Sequence, residues 1–340
     1  MSDAHRGGRR LAAAAVRRVR RAAERSRARL SRSSRIRRGT LNWALKISSP
    51  ADASAFRWGD TAFAADLAVA LRARGQSVSI DHLGAPQRPD SHQDDVVLVL
   101  RGLHRIEPTA GAINYLWIIS HPDAVGDEEL ALGWNRIFVA SESWNRSAEV
   151  GATPLLQASS ASRFSLRPEP TDIAEDVLFV GTSRGVVRPV VRDAIRVGAH
   201  LAVYGHDWDR FIDERFVRAD HLDFASVPGA YRASRIVLND HWEDMRAHGF
   251  LSNRLFDAAF VGARVISDRV DGIDRIFGGL VQTYDSPESL RRLLTEEAAW
   301  PSLTERRDLA RRVRAVHSFD ARAETLVDAA IADIRTRRNN

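Results

Sequence analysis

Strand-length apolar runs recur along this chain, each followed by a glycine or polar turn and then a helical stretch. Asp94–Leu100 closes on Val-Val-Leu-Val-Leu. A run with no polar alternation suits a strand buried on both faces, as parallel sheets require. Trp43–Ile47, Gln76–Ile80, Asn114–Ile119 and Ile137–Ala140 read as companion strands. Between the first two lies an amphipathic stretch, Thr61–Arg74, stopped by Gly75. Ser141–Trp144 is expected to start another helix. Strand and helix in alternation predict a doubly wound α/β sheet.

The rhythm restarts further on. Val177–Val180, Leu201–Tyr204, Ile236–Asn239, Arg264–Ser267 and Val281–Tyr284 read as strands. Pro189–Val197, Asn253–Val261, Pro287–Glu297 and Leu303–Ile334 read as helical. Residues 158–173, rich in Ser and Pro and without period, separate the two series. The expected organisation is a basic tail over 1–40, a first Rossmann-like domain over 41–160 and a linker over 161–173. A second Rossmann-like domain follows over 174–316. A last helix over 317–340 is placed to pack back on the first domain.

Charge is distributed unevenly. Residues 1–40 hold 14 arginines against Asp3 and Glu24, close to +12, which leaves about −6 for the remainder of a chain whose formal net charge is +6. This arm, helical by pattern over about 9–30, reads as a solvated tail or as a contact for anionic lipid headgroups. It lacks interleaved aromatic residues, so no nucleic-acid partner is expected. It also lacks the apolar core of a secretory signal. The longest apolar stretches, such as Val96–Leu100 and Ile113–Ile119, are far short of the roughly 18–20 residues of a membrane span. There is no cysteine, which excludes thiolate chemistry and fits a reducing cytoplasm. Lys46 is the one lysine, which disfavours a Walker-type phosphate site or Schiff-base chemistry.

Open parallel sheets bind ligands beyond the carboxyl ends of their strands. In the second half those positions hold Gly181-Thr182-Ser183-Arg184, Gly205-His206-Asp207-Trp208, Asn239-Asp240-His241 and Ser267-Asp268. In the first half they hold the loop Ser48–Asp60, Arg101-Gly102 and Ser120-His121-Pro122-Asp123. Such a rim suits a ligand with phosphate and sugar hydroxyls. Gly181-Thr182-Ser183-Arg184 is not a Gly-x-Gly-x-x-Gly turn, so no dinucleotide cofactor is indicated. Ser252 or Asn253 caps a helix whose free N–H groups attract an anion, with Arg254 beside them and Asp257 one turn on. Pro122 biases His121 to an extended backbone at a strand mouth, where an imidazole can position a sugar or move a proton. Gly59-Asp60 stands either as a helix start with its cap or as part of an acceptor or diphosphate wall. His206, Trp208, His241 and Trp242 frame a base or fill the core.

The segment from His248 to Asp268 resembles the donor-site signature of group 1 glycosyltransferases of the GT-B fold, in particular the branch of spore maturation protein CgeB-like transferases. Arg254, Phe256, Ala258, Gly262, Val265 and Ile266 match the frame Arg-x-Phe-Glu-Ala-x-Ala-x-Gly-x-x-Val-Ile. Phe179-Val180-Gly181, Val203-Tyr204-Gly205 with Trp208, Tyr231–Ser234 and His317-Ser318-Phe319-Asp320-Ala321-Arg322 fit the same family. The resemblance implies two Rossmann-like domains facing a cleft and sugar transfer from a nucleoside diphosphate sugar to a glycan, lipid-linked or small-molecule hydroxyl. It favours retention of configuration. It implies donor contacts at Gly181, Thr182, Ser183, Arg184, Gly205, Trp208, Asn239, Ser252, Asn253 and Asp257, and catalytic roles for His121 and Arg254. Guanidinium groups and a helix terminus suffice in principle for phosphate charge, so neither a cofactor nor a metal ion is expected. The family also carries an acid eight positions before the helix acid; here that position is Gly249. This departure keeps open a sugar-nucleotide epimerase of the same fold and a non-catalytic binding homologue.

Overall fold

The computed structural model describes residues 35–167 and 170–339; the helix expected over about 9–30 lies outside them. Two six-stranded sheets, parallel throughout, organise the chain. The first contains β1 (Asn42–Pro50), β2 (Ser77–Leu83), β3 (Val96–Arg101), β4 (Ile113–Ile118), β5 (Arg136–Val139) and β6 (Thr153–Pro154), in the order β2-β1-β3-β4-β5-β6. The second contains β7 (Val177–Val180), β8 (Leu201–Tyr204), β9 (Val217–Ala219), β10 (Ile236–Asn239), β11 (Val265–Asp268) and β12 (Val281–Tyr284), in the order β12-β11-β10-β7-β8-β9.

Both orders reverse direction once. In the first sheet the reversal lies between β1 and β3, and in the second between β7 and β10. Crossovers leave from opposite faces on either side of such a point, so a crevice opens between the two strand ends. The fold thus predetermines two places for ligands: beside Ser48 and Gly102, and beside Gly181 and Asn239.

Alternation along each strand feeds two cores per sheet. Trp43, Leu45 and Ile47 face α1 (Gly59–Ala73) and the last helix, with Phe63, Leu67, Leu71 and Trp117. Ala44, Val97 and Val99 face the other way, towards Trp144. In the second sheet Leu178, Val237 and Val265 pack on Leu255, Phe256 and Phe260, whereas Phe179, Val203 and Leu238 pack on Val190, Val191 and Leu290.

The predicted strands and long helices are present. The expected helix at Ser141–Trp144 is not: residues 141–151 form bends and turns, because the Ser141 hydroxyl accepts from Ser143 N–H and donates to the His248 carbonyl across the lobes. Such local side-chain bonding competes with a helix start. The helical stretch 303–334 is two helices, Leu303–Val316 and Phe319–Asn339, broken at His317-Ser318. The connector between the lobes has no regular element, in keeping with its Ser and Pro content, yet it is anchored. Phe164 is in the second core, Arg163 pairs with Asp66 of α1, and Ser159 bridges Ser318. Among the described residues no helix is long and apolar enough to cross a membrane.

Further helices in chain order are α2 (Asp127–Leu130), α3 (Pro189–Arg196), α4 (Val227–Ala233), α5 (Glu243–Ala247), α6 (Asn253–Phe260), α7 (Ile273–Phe277), α8 (Pro287–Thr295), α9 (Leu303–Val316) and α10 (Phe319–Asn339). The last of these crosses back to the first lobe. Phe319, Ala323, Leu326 and Ala330 join its core, and the Phe319 ring meets Phe63 edge-on at 4.7 Å.

Candidate active site between the two sheets

A cleft of about 720 Å³ runs between the carboxyl ends of the two sheets and takes in both reversal points. Ser48, Trp58, Gly59, Asp60, Asp66, Gly102, Leu103 and His121 line it from the first lobe. Gly181, Thr182, Arg184, Gly205, His206, Trp242, Ser252, Asn253, Arg254 and Asp257 line it from the second.

Three arginines of the second lobe converge on β7. Arg188 is 2% exposed; it donates from Nε to Asp240 (2.8 Å) and from Nη1 to the Thr182 carbonyl (3.0 Å), and lies over the Phe179 ring. Arg254 lies over the same ring and donates to Asn239 Oδ1 (2.9 Å) and the Val180 carbonyl (2.6 Å). Arg184 differs. Its guanidinium sits 4.3 Å from the Trp242 ring centroid, and among the described residues it has no carboxylate partner. Burial first, then the charges of Arg188 and Arg254, lower it to about 9. Asp240 and Asp268 offset this only in part, so the group is cationic at neutral pH, desolvated and without an ion-pair partner among the described residues, a state that an incoming anion relieves.

The turns that bring these groups together depend on glycine. Gly181 and Gly205 end β7 and β8 back to back, and a Cβ on Gly205 would run into the Gly181 carbonyl. That carbonyl accepts from Trp208 Nε1 at 2.8 Å. Trp208 is therefore a core residue, 1% exposed and edge-on to Phe179, and not the donor contact expected of it. Ser183 and Asn239 are corrected likewise. Both are fully buried behind the cleft wall. The Ser183 hydroxyl accepts from Gly185 N–H, and Asn239 Oδ1 accepts from Ser252 Oγ and Arg254. They hold the groups that line the cleft.

At the start of α6, Ser252 occupies the cap position with its side chain turned to Asn239, so the hydroxyl does not cap the helix. Its N–H donates to His241 Nε2 (3.0 Å), while His241 Nδ1 lies 2.7 Å from Asp268. This pattern requires the Nδ1–H tautomer. Asn253 Nδ2 donates to Asp257, and Asn253 Oδ1 is buried without a hydrogen-bond partner among the described residues. Asp257 also accepts from Ser159 Oγ (2.6 Å). Burial first, with Asp66 nearby, pushes its carboxyl up to about 7. Asp66 itself is raised to about 6, by burial that outweighs Arg163 at 2.7 Å. Asp66, Arg163 and Arg188 were not singled out in the sequence. Asp66 lies on the ordinary amphipathic face of α1, and Arg188 is a lone cation at a helix start.

His121 is partly buried on the cleft rim, 5.1 Å from the Trp242 ring and 3.9 Å from Asp244. Its backbone is left-handed (φ 52, ψ 53), not extended as the following proline suggests. A non-glycine residue held there stores strain of order 1–3 kcal/mol, which other contacts must sustain. Burial, with Arg184 and Arg101 nearby, holds the imidazole below its usual value in spite of Asp244. Asp60 is not a simple helix cap. Its Oδ2 accepts from Ser49 N–H (3.0 Å), and Oδ1 is buried without a hydrogen-bond partner among the described residues.

Gly249, where the resembled family carries an acid, faces away from the cleft. Its φ is +69, and a Cβ there would collide with the Ser143 hydroxyl of the first lobe. The position is an interlobe contact, where a side chain would have to displace the Ser143 hydroxyl from a left-handed backbone. One Asp-x-Asp triplet occurs, Asp207-Trp208-Asp209. Asp207 lines the cleft, but Asp209 does not, and no group of three or more His, Asp or Glu is arranged to hold a metal ion among the described residues.

Two facing parallel sheets with ligand crevices opening on one cleft define the GT-B fold. Solved structures agree. Sucrose-phosphate synthase from Thermosynechococcus elongatus superposes with a TM-score of 0.56 at 14% identity, covering 88% of this chain and 98% of its own. T4 phage BGT in complex with UDP and Mn2+ gives 0.53 at 12% identity, covering 86% and 99%. A DNA-modifying beta-glucosyltransferase studied with uridine diphosphoglucose gives 0.52 at 13% identity, covering 86% and 100%. Residues 184–328 match the family model described as glycosyl transferase-like. No curated protein matches the chain by sequence.

Proposed function

We propose that this protein is a glycosyltransferase that moves a sugar from a nucleoside diphosphate sugar to a hydroxyl acceptor. The observation that carries this reading is the Arg184 guanidinium, without an ion-pair partner among the described residues and set in the cleft beside Arg254 and the N-terminal turn of α6. The acceptor oxygen attacks the anomeric carbon as the bond to the diphosphate breaks. The electron pair leaves on phosphate, which takes the hydroxyl proton. Charge then develops on phosphate oxygens facing fixed cations and N–H groups, which stabilise it. Asp257 faces the donor hydroxyls, and His121, neutral at neutral pH, orients the sugar.

We further propose retention of configuration and no metal requirement, with the cations in the metal's place. Residues 1–40 are proposed as a contact for anionic lipid, read out by vesicle co-sedimentation. The decisive experiment is a thermal-shift and transfer panel of UDP-, GDP- and dTDP-sugars with and without chelator, since a bound donor raises the melting temperature. One donor is expected to stabilise the protein and to be consumed only with an acceptor, giving a product of unchanged anomeric form. Isomerisation of the donor alone would install the epimerase reading instead. Binding without turnover would install the non-catalytic one.

A further inference from the structure

Resting on the transferase reading, we propose that Asp60 and Trp58 form an acceptor subsite that takes a hydroxyl-bearing ring, a sugar or polyol unit, and not an acid. The place is the reversal point of the first sheet, between β1 and β3, where the crevice faces the three arginines of the second lobe. Asp60 is held firmly there. Ser49 N–H fixes Oδ2, and Ser49 is in turn tied to Thr61 Oγ1 (3.0 Å) and His82 Nδ1 (3.0 Å). The other oxygen is buried and has no hydrogen-bond partner among the described residues, an arrangement that costs free energy unless a ligand donates to it. A hydroxyl is the donor that fits.

The surroundings select the rest. Trp58 lines the same crevice, with its ring 6.0 Å from His104. Leu103, 48% exposed, lies in a loop pinned by Ser48 Oγ accepting from His104 N–H. Open space stands beside Gly59, where an added Cβ would meet nothing within 4 Å. An aromatic face, an exposed aliphatic side chain and one acceptor oxygen suit the C–H face and hydroxyl edge of a sugar ring. The Asp60 oxygen repels a carboxylate or phosphate at this position.

The test is saturation-transfer NMR of methyl hexopyranosides, ethanolamine and glucuronate on the wild type, Asp60→Asn, Trp58→Ala and Trp58→Phe, with UDP and GDP binding measured by calorimetry on each. Asp60→Asn retains an oxygen for Ser49 N–H. We expect a hexoside to bind the wild type and to weaken about 10-fold or more in Asp60→Asn and Trp58→Ala, with Trp58→Phe between, while nucleotide affinity changes less than about twofold. Unchanged hexoside binding in Asp60→Asn, no hexoside binding to the wild type, or preference for ethanolamine or glucuronate overturns the proposal. Failure of the wild type to bind any nucleotide strikes the transferase reading instead, and the hexoside measurements still judge Asp60 by themselves.

Discussion

Arg184 and Arg254 stand side by side but are held differently, and substitution separates them. Arg254 donates to Asn239 and the Val180 carbonyl, so Arg254→Ala removes packing, takes this donor from Val180 and leaves Asn239 Oδ1 to Ser252 Oγ. It is expected to lower both the melting temperature and donor affinity. Among the described residues Arg184 packs on the Trp242 face and has no ion-pair partner. Arg184→Ala is expected to weaken nucleotide binding by roughly 10- to 100-fold, the usual range for a hydrogen bond to a charged group. Its melting temperature should stay level or rise, since a largely desolvated charge without an ion-pair partner is lost. Calorimetry and thermal denaturation of both variants check this. Asp257 adds a pH dependence. Its carboxyl is raised from 3.8 to about 7, so between those values the folded protein binds a proton that the unfolded chain does not. Its contribution is complete below about pH 4 and lost as pH rises towards 7. Asp257→Asn is therefore expected to raise the melting temperature by about 2–4 °C at pH 8 and to change it little at pH 5. Denaturation curves at the two pH values decide it. At this scale the sequence was legible where chemistry follows a strand: Gly181, Thr182, Arg184, Gly205, His121, Ser252, Asn253, Arg254 and Asp257 all line the cleft. It misled for Trp208, Ser183 and Asn239, because a strand-end position does not reveal whether a side chain turns out to the cleft or back into the core.

Among elements, the turns after β7 and β8 act as a single unit. Gly205→Ala forces the backbone away from Gly181 and is expected to cost about 1–3 kcal/mol, with loss of donor binding. Chemical denaturation beside nucleotide titration measures both. Gly249 allows a sharper comparison. Replacing it with Glu supplies the acid seen in the resembled family, yet the side chain would enter the seam at Ser143 from a left-handed backbone. Gly249→Glu is expected to lower stability and activity together; a gain in turnover would contradict the structure. Ten of the twelve described strands announced themselves through short apolar-rich runs; β6 and β9, two and three residues long, did not. The short helices Val227–Ala233, Glu243–Ala247 and Ile273–Phe277 did not, since one or two turns carry too few residues to show a period.

For the whole molecule, two lobes share side chains across their boundary. Met245 and Phe250 of the second half sit in a core of the first, His248 Nε2 meets Asp123 at 2.9 Å, and Arg275 pairs with Glu142. The two-sheet plan was readable from alternation alone, but this seam was not, because it joins residues more than a hundred positions apart with no shared pattern. α10 makes the sharing reciprocal. Removing residues 317–340 is expected to expose Phe63 and the α1 face of the first sheet while sparing the second. Hydrogen exchange should rise over β1 and α1 well before β10 and α6.

The path of that last helix also orders events during synthesis. The amino-terminal sheet leaves the ribosome early but lacks one wall until Phe319 and Leu326 emerge. Its apolar surface must wait, uncovered, through the making of the entire carboxyl-terminal half. Biogenesis of this protein therefore depends on whatever shields a half-closed sheet until that helix has been made.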